Sequence, residues 1–106
     1  MALIRTAAKG LNSLLVDERI DPNIVTIHIS EVGPGSRAHA PHAHSGIEGF
    51  YILAGQGVVE VGDERYAVGP NEVALIEAET LHGLVNVGQV PLRYMVIIVR
   101  TATASA

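Results

Sequence analysis

Hydrophobic and polar residues alternate with a period of two along most of this chain, which is the spacing of strands rather than helices. Ile24-Val25-Thr26-Ile27-His28-Ile29-Ser30 shows it most cleanly: Val25, Ile27 and Ile29 share one face, and Thr26, His28 and Ser30 the other. Gly33-Pro34-Gly35 closes this segment, and a loop of small residues and histidines runs over 36–45. Phe50-Tyr51-Ile52-Leu53 and Val58-Val59-Glu60-Val61, separated by Gly55-Gln56-Gly57, read as a hairpin. A second turn at Gly62-Asp63-Glu64 leads into Arg65-Tyr66-Ala67-Val68, and Gly69-Pro70-Asn71-Glu72 is the next turn. Further strands are predicted at 73–76 and 82–87, and Gly88-Gln89-Val90-Pro91 turns the chain into a last strand over 92–99. That last run is apolar and rich in β-branched residues, so burial on both faces is expected. Residues 1–20 form an N-terminal arm or edge segment, within which Ala7 to Leu15 fits a short helix, an edge strand or a loop. Residues 101–106 are small and polar enough for a flexible tail. Seven or more short strands at turn spacings of about 8–12 residues point to an all-β sandwich or barrel over 21–100.

Composition narrows the function classes. The chain has 106 residues, room for one domain, with seven Lys/Arg against eleven Asp/Glu and a formal net charge of −4. That balance, with no basic cluster, gives no reason to bind nucleic acid. Aromatics are limited to Phe50, Tyr51, Tyr66 and Tyr94, too few for a base-stacking platform. The absence of cysteine excludes disulfides, thiolate metal sites and cysteine nucleophiles. No apolar run reaches the roughly 20 residues of a membrane helix. Met1-Ala2-Leu3-Ile4-Arg5 lacks the basic lead and long apolar stretch of a secretory signal, so a soluble cytoplasmic protein is expected.

Chemistry concentrates in His42-Ala43-His44-Ser45-Gly46-Ile47-Glu48 and, far along the chain, His82. Residues at i and i+2 of an extended segment point to the same side, so His42 and His44 can aim at one point. Glu48 shares their parity if the chain stays extended, and His82 on a neighbouring strand can close the set. Three imidazole nitrogens and one carboxylate oxygen suit Fe, Mn, Ni, Co, Cu or Zn. The competing reading is a pair of exposed loop histidines beside Pro41. A four-residue step from His82 leads to Asn86, whose amide is expected either to support the ligands from behind or to face water at a strand end.

These residues resemble the cupins, in the small single-domain, RmlC-like form. The family's first motif continues His-x-His, three or four residues, Glu, six residues, Gly, and His42, His44, Glu48 and Gly55 agree at every spacing. Its opening departs by one residue: six residues rather than five separate Gly35 from His42, an excess expected to bulge around His39-Ala40-Pro41. In the second motif His82 and Asn86 are kept, while Asn71, Glu77 and Glu79 stand where glycine, proline and glycine are usual. This puts the turn before His82 in question. The resemblance implies a double-stranded β-helix, or jelly-roll barrel, with His42, His44, Glu48 and His82 around one divalent transition metal ion. Four protein ligands in an octahedral shell would leave two positions open.

Other side chains are candidates of a second rank. His39 is a mouth residue, a proton shuttle, a spare ligand or a plain surface histidine. His28 lies on the polar face of its strand, which either lines a pocket or meets solvent. Arg93 and Tyr94 lie on opposite faces of the last strand, so at most one enters the barrel, as a carboxylate fork or as a phenol. His28, Arg93 and Tyr94 are the catalytic candidates, and Arg37 a further anion contact. Glu77 and Glu79 are expected to be solvated, and Phe50, Ile52 and Met95 to be core. The function that follows is a small metal-dependent enzyme, either a dioxygenase or a Lewis-acid isomerase or lyase acting on a small polar or sugar-like substrate. The alternative is a non-catalytic module that binds or senses a small ligand. A barrel this short leaves apolar sheet surface exposed, so a homodimer is expected.

Overall fold

A computed structural model describes residues 12–13 and 18–100. Within them lie eight strands: β1 (Asn12–Ser13), β2 (Val25–Val32), β3 (Ile47–Ala54), β4 (Gly57–Val61), β5 (Glu64–Val68), β6 (Val73–Glu77), β7 (His82–Asn86) and β8 (Leu92–Val99). They form two antiparallel sheets, a large one in the order β1-β2-β8-β3-β6 and a small one in the order β5-β4-β7. The chain between β2 and β3 adds a fourth, irregular edge to the small sheet, bridging Arg37 to Val85 and His42 to His82. The sheets face each other as a jelly-roll barrel. Asn12 and Ser13 lie at an edge of the large sheet, opposite Ile29 and His28. Expectations for the rest of 1–17 and for 101–106 fall outside the described residues.

The predicted hairpin between residues 50–53 and 58–61 is not formed. β3 pairs with β6 and β8, whereas β4 pairs with β5 and β7, so Gly55-Gln56-Gly57 carries the chain from one sheet to the other. Gly55 makes the crossing with φ +90, and a Cβ there would strike the carbonyl of Pro91. Only glycine tolerates both conditions. The turn at Gly62-Asp63 does close a hairpin, joining β4 to β5. Asn71, standing where glycine is usual in the family, takes φ 67 itself. Asparagine is among the few side chains that tolerate that conformation.

The interior is divided along its length. Phe50, Ile52, Val59, Leu84 and Leu92 are fully buried and, with Val32, Val68, Ile76 and Tyr94, form the apolar core. Phe50 and Tyr94 pack edge to face with centroids 6.0 Å apart. β2 turns Thr26, His28 and Ser30 inward, because they are paired with Ile98, Val96 and Tyr94 of β8, and places Val25, Ile27 and Ile29 on the opposite face, where Val25 and Ile27 are half-buried and Ile29 is buried. Leu92 and Tyr94 are buried, but Met95 and Ile97 on the other face of β8 are only half-buried and Val99 is exposed. Burial of β8 on both faces is therefore not found. Met95 faces outward rather than joining the core, since no second layer of described residues covers that side of the large sheet.

Asn86 holds the closed end together. Its Nδ2 donates to the carbonyls of Val32 and Val90, both at 2.9 Å, and its Oδ1 accepts from the Gly88 N–H at 2.9 Å. These bonds join the ends of β2 and β7 to the turn before β8, and none reaches the histidine ligands. The expectation that Asn86 backs the ligands is corrected accordingly: four residues of strand separate it from His82 by about 13 Å. Asn86→Ala is expected to lower the free energy of unfolding by about 2–4 kcal/mol, from three lost bonds and two stranded carbonyls. Denaturant unfolding would measure this, and metal uptake by the folded variant should be unchanged.

Candidate metal centre

His42, His44, Glu48 and His82 converge at the open end of the barrel, their ligand atoms all within 4.8 Å of one another. Each arrives by a different route. Glu48 is on the inner face of β3 between Ile76 of β6 and Ile98 of β8, with its side chain 2% exposed. His82 opens β7 and is completely buried. His42 is hydrogen-bonded to it backbone to backbone in both directions, at 3.0 and 2.9 Å. His44 is tied to the preceding turn, its N–H donating to the Ala78 carbonyl at 2.8 Å while the Ala78 N–H donates to Gly46 at 2.9 Å. Gly46, with φ +101 and no room for a Cβ against the Val99 carbonyl, bends the chain between His44 and Glu48.

The bulge ahead of His42 is larger than the one residue inferred from motif spacing. From the Arg37–Val85 bridge to the His42–His82 bridge, five steps on one strand match three on the other. The extra length pushes His39 out of the ladder. Its ring then stacks on His42, with centroids 4.1 Å apart. The turn before β7 survives Glu77 and Glu79: Thr80 N–H closes it on the Glu77 carbonyl at 3.1 Å, both glutamates are exposed, and Ala78 between them is buried.

The backbone sets the tautomers. His44 Nδ1 lies 2.9 Å from the Ser45 carbonyl, and His82 Nδ1 lies 2.8 Å from the Thr80 carbonyl. A carbonyl only accepts, so each Nδ1 carries a hydrogen and each neutral ring presents a lone pair at Nε2. Those two Nε2 atoms lie 2.7 and 3.2 Å from Glu48 Oε1, and His42 Nε2 lies 4.0 Å from it. With the rings neutral, lone pairs meet lone pairs. One metal ion, or a proton shared between a ring and the carboxylate, relieves that opposition. Adjacent ligands around an ion with bonds of about 2.1 Å stand roughly 3 Å apart and opposite ones about 4 Å, so the donor set, spread over up to 4.8 Å, would hold a transition metal once the side chains draw in by about half an ångström. Burial, reinforced by His39 and His82, lowers the His42 pKa below the usual imidazole value, and Glu48 opposes this only in part.

Beside the cluster lies a cavity of about 300 Å³ between β2, β8 and the bulged 38–42 segment, lined in part by His28, Ser30, His39, Tyr94 and Val96. His28 and Tyr94 therefore face the cluster's cavity. Tyr94 has its pKa raised, chiefly by burial; the Ser30 side chain hydrogen-bonds it and opposes the shift. Arg93 does not face inward. It lies on the outer face of β8, 4.0 Å from Glu31. Arg37 is also outside, its guanidinium forked on Glu60 at 2.7 and 3.3 Å. Ser30 was not singled out by sequence, although its parity with His28 already placed it on the same wall.

Comparison with known proteins agrees with this architecture. A family model described as "Cupin domain" matches residues 28–98. The mannose-1-phosphate guanylyltransferase RfbM of Salmonella typhimurium is 35% identical over 66 residues, which are 62% of this chain but 14% of that protein. A cupin protein from Bacteroides fragilis superposes with a TM-score of 0.78 at 15% identity, covering 99% of this chain and 88% of that one. A putative sugar phosphate isomerase from Acidithiobacillus ferrooxidans gives a TM-score of 0.65 at 25% identity, covering 74% of this chain and 51% of that one. With the family model spanning most of the barrel, the chain belongs to the cupin family.

Proposed function

We propose that this cupin is a metal-dependent enzyme that rearranges a small polar substrate, of the isomerase or lyase type. The observation that carries the reading is the cluster of His42, His44, Glu48 and His82 opening onto a cavity with its own polar wall. A bound divalent ion supplies Lewis acidity toward a substrate oxygen. The chain's own groups do the rest. Glu48 contributes one negative charge, which lowers but does not cancel the charge of a divalent ion. The buried Tyr94 phenol keeps its proton at neutral pH and can donate to a substrate oxygen. His28, on the same inner face of β2, is the side chain able to hold a proton moved between substrate atoms. The isomerase named among the structural neighbours is compatible with this class of reaction.

We further infer a homodimer built on the outer face of the large sheet. Ile47, Val73, Leu75 and Val99 are 52%, 50%, 69% and 38% exposed there, next to half-buried Met95 and Ile97. A mainly apolar face of this kind, with Glu31, Arg93 and Glu77 as its charged members, suits the same face of a second copy related by a two-fold axis. Leu75→Glu is expected to shift a dimer to monomer in analytical ultracentrifugation without loss of the β-rich circular dichroism spectrum. A wild-type monomer at micromolar concentration would overturn the dimer.

Metal uptake tests the centre itself. Glu48→Gln keeps the shape and removes the charge, and should weaken Ni(II) binding by more than the ~10–100-fold typical of losing an outer-shell partner. Calorimetry measures this. The pH dependence has a definite sign. Folded His42 binds its proton less readily than an unfolded imidazole, so its contribution to stability is present above about pH 6.5 and is lost as acid is added below that value. Metal binding also needs unprotonated rings, so Ni(II) affinity should level off above about pH 7 and fall below about pH 6. For the reaction, chelation should abolish turnover of a small hydroxycarbonyl, and divalent metal should restore it. Oxygen uptake that depends on Fe(II) would redirect the reading to a dioxygenase, and ligand binding without turnover would make the protein a binding module.

A further inference from the structure

The cavity beside the cluster contains three kinds of surface. One end is the cluster itself, with Glu48 as its fixed charge. The wall facing it offers the paired hydroxyls of Ser30 and Tyr94, directly opposite each other across β2 and β8. Between them run the aliphatic side chains of Ala38, Val96 and Ile98. Among the described residues no lysine or arginine lines this space. Arg93 is on the other face of β8 beside Glu31, Arg37 is forked on Glu60, and Arg100 packs its stem against Gly46 beyond the end of β8.

We propose that Ser30 and Tyr94 form a hydroxyl-reading subsite, and that the site takes a small, non-phosphorylated hydroxycarbonyl or polyol held at two points. One end of the ligand meets the cluster and the other this pair. The inference rests on the reading of the cluster as a metal centre and adds the substrate class to it. Size and charge support it separately. A volume of about 300 Å³ is at the floor of the range for small-molecule sites, and equals the share of about ten waters. A phosphate monoester carries about −1.5 to −2 charge and is ordinarily met by arginine or lysine. Placed against Ser30 and Tyr94 it would be stripped of water with no lysine or arginine of the described residues to compensate, whereas a neutral hydroxyl exchanges water for two hydroxyl partners. The aliphatic strip between the two polar ends fits a short carbon skeleton. This separates the protein from the sugar phosphate chemistry named for two structural neighbours.

The test uses the full chain loaded with Co(II), whose visible absorption reports the ion's surroundings without any need for turnover. Dihydroxyacetone and dihydroxyacetone phosphate are the probes, since they share one hydroxyketone unit and differ only in the phosphate. Dihydroxyacetone should change the Co(II) spectrum saturably, and its phosphate ester should bind no more tightly. Ser30→Ala and the conservative Tyr94→Phe should each weaken dihydroxyacetone by about 3- to 10-fold, the worth of one hydrogen bond, with Co(II) affinity unchanged. A phosphate ester that binds tenfold tighter, or variants that bind like wild type, would overturn the subsite. If Co(II) binds and neither probe disturbs its spectrum, this proposal fails and the metal centre stands. If Co(II) is not taken up, both fail, and that result comes before any probe is added.

Discussion

Everything at the open end of this barrel depends on one electrostatic constraint: the Nε2 lone pairs of His44 and His82 are aimed at the Glu48 carboxylate. The carbonyls of Ser45 and Thr80 fix the Nδ1 hydrogens of His44 and His82, and so decide that Nε2 faces Glu48. The positions of these carbonyls follow in turn from backbone ties: His44 to Ala78, Ala78 to Gly46, and His42 to His82 in both directions. The cluster is thus a property of the turns around it as much as of its four side chains. A ring free to rotate could escape its neighbour's lone pair, and these two cannot without giving up a backbone bond.

The second constraint is the reversal of the usual strand pattern in β2. An amphipathic strand over a simple apolar core would turn Val25, Ile27 and Ile29 inward. Here those residues lie on the opposite face, and Thr26, His28 and Ser30 face the interior near the site. The closed end compensates with a conventional plug of Phe50, Ile52, Val59, Leu84 and Leu92. One barrel therefore holds a dry half that stabilises it and a polar half that is free for chemistry.

Much of this was legible in the sequence, for identifiable reasons. The strands were visible because period-two alternation and glycine punctuation are local signals. The cluster was visible because a motif with fixed spacings carried His42, His44, Glu48 and His82 together; parity alone did not suffice, since Gly46 bends the chain between His44 and Glu48. What depends on long-range pairing was not. The Gly55-Gln56-Gly57 segment looks like a hairpin turn until β3 and β4 are seen to belong to different sheets. Asn86 has the right parity to reach the ligands, but a strand carries it far down the barrel, where Val32, Val90 and Gly88 claim its amide. The two possible faces of β2 could not be ranked from alternation alone, because alternation states that faces differ and not which one is inside. Asn71 shows the reverse case: a departure from the motif that leaves the geometry intact, since asparagine adopts the same backbone angle.

Glu48 is carried by the large sheet, and His42 and His82 by the small one. Whatever cation satisfies the cluster therefore also rivets the two layers together at the mouth, opposite the Asn86 clasp at the base. Loading and folding are then linked, because part of the ion's binding energy is spent in holding the lips of the barrel shut. Were an ion held there, its exchange and the breathing of the mouth would be one motion.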